Sequence, residues 1–159
     1  VQSRFDLLEQ NTSSSATNIN KACGATSGTG DIYYFSDNKS GAQLNTNIGN
    51  ANEEVDVITI DSLDLEDVDV MVIVANGQEI EILKGATQTI IDNPGMDIII
   101  YWNNILSGED DYTYIIDNFT PKIIHCDADG TTATIREIGN ETYPLASLKA
   151  VMESTLLLT

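Results

Sequence analysis

Few side chains in this sequence can do chemistry, and most of those stand alone. His125 is the one histidine, set in Ile-Ile-His-Cys-Asp at 123–127. General-base work by an imidazole needs a nucleophile to activate, and no Ser or Cys nucleophile is specified for it. His125 therefore reads as a core or edge residue of a strand. Cys23 and Cys126 are the only cysteines and lack C-x-x-C spacing, so a zinc site is not expected. Two buried free thiols are favoured over one disulfide. The acids Asp61, Asp64, Glu66, Asp67 and Asp69 could meet a hard cation through carboxylate oxygens. They lack the central Gly and terminal Glu of an EF-hand loop and read as a solvated acidic loop. Asp127, Asp129 and Gly130 read as a β-turn.

One junction is more informative. A strand over 68–75, apolar throughout 70–75, runs into Asn76-Gly77, and an amphipathic helix over 78–92 follows at once. An open α/β sheet presents its ligand-binding edge at such a junction. Asn76, Gly77 and Glu79 lie there, and Tyr101 falls near the end of the next strand.

The elements that must position these residues follow from periodicity. Residues 4–10 read as a short helix with Phe5, Leu7 and Leu8 on its apolar face. Residues 19–25 and 31–36 are strands joined as a hairpin, with Gly24, Gly28 and Gly30 as turn residues rather than a cofactor loop. Residues 37–54, rich in Asn and Gly, read as a long loop, and 57–60 as a short strand. The runs at 68–75 and 96–102 show no alternation, which implies burial on both faces. The helix at 78–92 turns Ile80, Leu83, Ala86, Ile90 and Ile91 inward and ends at Asn93-Pro94-Gly95. A helix at 109–118, strands at 122–127 and 133–138, and a helix at 145–157 complete the chain. Alternating strands and helices imply parallel crossovers, closed by an antiparallel pair.

With 159 residues, 42% of them hydrophobic, the chain suits a single domain with a sizeable core. Its 25 acidic residues against 7 basic ones give a net charge of -18. Such a field repels nucleic acid and anionic membrane. It suits a salty or extracellular setting, a cation or a basic partner. The longest apolar runs, at 70–75 and 98–102, are far short of the roughly 20 residues of a membrane span. Sequons stand at Asn11, Asn38, Asn118 and Asn140; about two or three would arise by chance from this Asn, Ser and Thr content, so the count is weak evidence for glycosylation.

The central junction resembles the signature of the FkbM-type methyltransferases, roughly K-I-D-V-E-G-x-E-x-x-x-L-x-G-A. Gly77, Glu79, Leu83, Gly85 and Ala86 match it, whereas Val72, Val74 and Asn76 stand where the family has a Lys and two acids. Phe5, Leu8 and Asn11 are similar to the helix after the family's second strand, and 20–25 and 28–35 to its next two strands. Ile60-Asp61-Ser62-Leu63 resembles its T-L-D-x-L segment, and 94–102 its P-x-I-x-x-E strand, whose acid falls at about Tyr101. The resemblance implies a partial Rossmann-like class I methyltransferase fold. Its sheet would be mostly parallel, with helices and a C-terminal antiparallel hairpin, in one truncated domain over 1–159. The family's cofactor-binding half would precede Val1.

The joint loss of that half and of the signature acids leads to the functional expectation. It is a non-catalytic assembly or structural subunit that pairs with itself or another protein through an exposed sheet edge, as a closed oligomer or a filament. Asn76, Gly77, Glu79 and Tyr101 would mark a vestigial site, with no catalytic residue, cofactor or metal. The alternative is an S-adenosylmethionine-dependent O-methyltransferase acting on a sugar or small hydroxyl acceptor, its cofactor half missing or supplied elsewhere. A third reading is an acidic extracellular module binding cations or glycans.

Overall fold

The computed structural model describes residues 2–103, 108–126, 133–137 and 153–159. Helix α1 (Gln2–Asn11) precedes strands β1 (Ala22–Cys23), β2 (Gly28–Phe35), β3 (Asn38–Leu44) and β4 (Ala51–Ile58). After a 3-10 turn (Asp61–Leu63) come β5 (Val70–Ile73), α2 (Glu79–Lys84), α3 (Thr87–Asp92), β6 (Asp97–Asn103) and α4 (Glu109–Asn118). Strands β7 (Pro121–Cys126), β8 (Ala133–Glu137) and β9 (Glu153–Leu158) follow. The fold is mixed α/β with two sheets, ordered β1-β4-β2-β3 and β5-β6-β9-β7-β8.

The first sheet corrects the expected hairpin of 19–25 with 31–36. β1 pairs instead with β4 in parallel, and β2 lies antiparallel to β4 on one side and β3 on the other. The stretch 37–54, read as a loop, thus supplies β3 and half of β4. Its Asn and Gly content is low in strand propensity, but a tight turn after Phe35 brings it onto the free backbone of β2. Gly49 has φ +81°, and a Cβ there would lie 2.2 Å from the Tyr34 carbonyl oxygen, so only glycine fits.

In the second sheet only β5–β6 pairs in parallel among the described residues, so the sheet is not mostly parallel as expected. The antiparallel pair β7–β8 forms as expected, with Ile124 opposite Ile135. The turn assigned to Asp129 and Gly130 lies outside the described residues. Residues 153–157, expected in a helix, form β9 instead, while the rest of that expected helix lies outside the described residues. β9 fills the slot between β6 and β7, with Leu156 between Ile100 and Ile123 in register. Two flanking strands satisfy its backbone, and that outweighs the helix propensity of a leucine run.

One face of this sheet packs on the helices, while the other is covered at Leu157 and open at β5. Ile73, Ile98, Ile100 and Leu158 meet Ile80, Ile82 and Leu83 of α2 and Tyr112 and Ile115 of α4 in the core. Each such burial contributes about 1.5–3 kcal/mol. On the opposite face Val70, Val72 and Val74 are 51%, 64% and 70% exposed. β5 is therefore a half-buried edge strand, not the doubly buried one expected. β6 alternates too, with Ile98 and Ile100 buried and Tyr101 exposed.

The expected helix at 78–92 is broken into α2 and α3 at Gly85-Ala86. A Cβ on Gly85 would lie 2.1 Å from the Gly24 carbonyl oxygen, so this break is where the β1 segment presses on the helix. Ile91 points to solvent rather than into the core, and so do Leu7 and Leu8 of α1.

Candidate functional site

The β5–α2 junction is a tight reversal. Asn76 has φ +50° and Gly77 φ +92°. The Gln78 N–H donates to the Ala75 carbonyl at 3.3 Å. Positive φ at both central residues of a four-residue turn defines type I′, for which Asn-Gly is the preferred pair. Such turns usually join two strands; here one turns a strand into a helix.

Glu79 holds this turn closed. Its Oε1 accepts from the Ala75 N–H at 3.0 Å and its Oε2 from the Gly77 N–H at 2.9 Å. The side chain is 3% exposed, so the carboxylate is withdrawn from solvent and committed to backbone. Asn76 reaches the other way, its Nδ2 donating to the Ala42 carbonyl of β3 at 3.3 Å. The turn thereby ties the two sheets together. Tyr101 lies one step beyond the Ile73–Ile100 pair and is 40% exposed. Of the four residues singled out from sequence, the structure brings Asn76, Gly77 and Glu79 into one turn and leaves Tyr101 on the neighbouring strand.

The acidic segment resolves into separate parts. The Asp61 carboxylate accepts from the Gln88 N–H at 3.1 Å, the Thr89 N–H at 2.8 Å and the Thr89 hydroxyl at 2.9 Å. It caps α3 from 27 residues away. Burial alone would raise its pKa, but the hydrogen bonds from Thr89 and Gln88 outweigh that and hold it below the usual carboxylate range. Asp64, Glu66 and Asp67 line a cleft of about 420 Å³ together with Asp61 and Asp92. Among the described residues no group of three or more His, Cys, Asp or Glu is placed to hold a metal ion.

Sequence reasoning missed Asn93, which it read only as a helix stop. Its Nδ2 donates to the Thr89 carbonyl at 2.8 Å and the Leu65 carbonyl at 3.3 Å, and its Oδ1 accepts from the Val68 N–H at 2.9 Å. This buried amide pins the acidic loop to α3. Gly30 belongs to β2 itself, where a Cβ would come within 2.9 Å of Asn45 Oδ1. Gly24 and Gly28 line a crevice of about 180 Å³ facing Gln78 and Glu81. Cys23 is a free, half-buried thiol whose pKa burial pushes up, which leaves it a weak nucleophile. His125 and Cys126 take backbone positions in β7 opposite Thr134 and Ala133. The amides of Asn11 and Asn118 donate to the Leu7 and Tyr114 carbonyls, so both serve as helix ends.

No match to this chain is found among protein-family models, curated proteins or solved structures. Among the described residues no helix is long and apolar enough to cross a membrane.

Proposed function

We propose that this protein is a non-catalytic, methyltransferase-like assembly subunit that associates with further copies of itself through β5. The observation that carries the reading is the row Val70, Val72 and Val74, exposed on a strand at the sheet's edge. Natural sheets rarely leave an apolar edge bare, because its unpaired backbone recruits another strand. Two-fold pairing of β5 with its copy would set Val70 against Val74 and keep each Asp69 away from its counterpart.

The turn chemistry supports the same reading. Val74 cannot accept a proton, Asn76 does not titrate, and both Glu79 oxygens already accept backbone N–H groups. The parallel pair β5–β6 followed by the reversed strands β9 and β8 is similar to the end of a class I methyltransferase sheet.

Light scattering across a concentration series tests the proposal. The wild type should grow in mass with concentration, and Val72→Lys should stay at the size of one chain. Equal behaviour of the two proteins would remove the edge from consideration. Calorimetric binding of S-adenosylmethionine at micromolar affinity would instead move the reading to methyl transfer.

A further inference from the structure

Asn76 is followed by a residue with no side chain, the arrangement in which an asparagine most readily attacks itself. In that reaction the Gly77 nitrogen loses its proton and bonds to Asn76 Cγ. The Cγ–Nδ2 bond breaks, and ammonia leaves with the proton. Water then opens the five-membered imide at either carbonyl, giving aspartate or isoaspartate. Gly77 offers no steric protection, so any protection must come from the fold.

We infer that the β5–α2 turn is a latent deamidation site, and that Glu79 is the lock that keeps Asn76 an amide. Ring closure needs the Gly77 nitrogen close to the Asn76 side chain. In a type I′ turn ψ of the first central residue is about +30°, which sets that nitrogen roughly 150° in torsion from Cβ, on the far side of the backbone. Closure therefore requires the 76–77 peptide to swing round. That swing breaks the Gly77 N–H bond to Glu79 Oε2 at 2.9 Å and the Gln78 N–H bond to Ala75. Because Glu79 is buried, losing that bond leaves its carboxylate oxygen short of a partner, which makes the swing costly. The Asn76 amide is held as well, through Nδ2 on the Ala42 carbonyl at 3.3 Å.

Release would change more than one atom. A carboxylate at position 76 has no proton to give the Ala42 carbonyl, so the tie to β3 becomes a repulsion. Isoaspartate adds a backbone carbon inside the turn and separates Gly77 from Glu79. A single conversion would thus loosen the first sheet from the second.

Peptide mapping of the full chain, incubated at neutral pH in buffer and in urea, tests the lock. Conversion at Asn76 should be about tenfold or more slower in the folded protein, since each decade corresponds to the loss of about one charge-assisted hydrogen bond. Equal rates in buffer and urea would overturn the inference. Glu79→Ala should raise the rate in buffer towards the urea rate; a folded Glu79→Ala that converts as slowly as wild type would also overturn it. If that variant does not fold, Glu79→Gln, which keeps one acceptor, should give an intermediate rate, and a wild-type rate there counts against the lock. Hydrogen exchange at β3 should quicken in proportion to the converted fraction.

Discussion

The Glu79 and Asp61 carboxylates both act on backbone, and they do so by different routes. Glu79 closes the turn on which its own helix begins, whereas Asp61 reaches a helix start distant in sequence. Asp61→Ala should lower stability at neutral pH by about 1 kcal/mol, the usual cost of losing a cap, read from urea unfolding. Its folded pKa lies below the ordinary value of about 3.9, so its contribution is complete above that pH and is lost as pH falls through the folded pKa. The gap between wild type and Asp61→Ala should therefore be constant from neutral pH down to about pH 5 and close below about pH 4. A gap unchanged in acid would mean that the carboxylate's charge has no part in the cap. The sequence announced the Asn76-Gly77 turn through its residue pair. It did not announce what Glu79 does, because that follows from two positive φ angles that bring the Ala75 and Gly77 N–H groups to one side.

At the scale of elements, the contact between Gly24 and Gly85 decides how the first sheet seats on the helices. Gly85 has φ -80°, which alanine adopts freely, so a substitution there suffers only from the crowding. Gly85→Ala should cost about 3 kcal/mol, seen as a lower urea midpoint at an unchanged slope. A neutral result would show that the β1 segment does not press on the helix. Helix α4 and the β7–β8 pair were legible from pattern alone, and β6 was legible as a strand from its apolar run but not as one that alternates. The valine-rich stretch at β5 was legible as a strand but not as an edge, because a continuous apolar run reads the same in either place. β9 was hidden for a related reason: three leucines in a row fit a helix as well as a buried strand, and only the strands on either side decide. β3 was hidden by its polar composition, since its pairing draws on the backbone of β2 and on few of its own side chains.

For the molecule as a whole the dominant quantity is charge. Asp31 faces Glu54 directly across β2 and β4, and Asp56 is met by Lys21 at 3.5 Å on the same sheet. With 25 acids and 7 bases, the net effect of the charges is repulsion. Added salt shortens the reach of that repulsion to about 8 Å at physiological strength. Raising the salt should therefore increase both the urea midpoint and the mass seen by light scattering, the latter only while Val72 is intact. A mass that falls with salt would point to a basic partner in place of a second copy.

The position of β9 also governs how the chain can reach this state. Residues 153–158 join β6 to β7, so before they are synthesised the second sheet exists only as two separate ribbons, β5–β6 and β7–β8. Closure spans about fifty residues of intervening chain and is slow compared with local turns. A ribosome-bound intermediate would thus carry bare backbone on the inner side of each ribbon until β9 is made and ends this exposure.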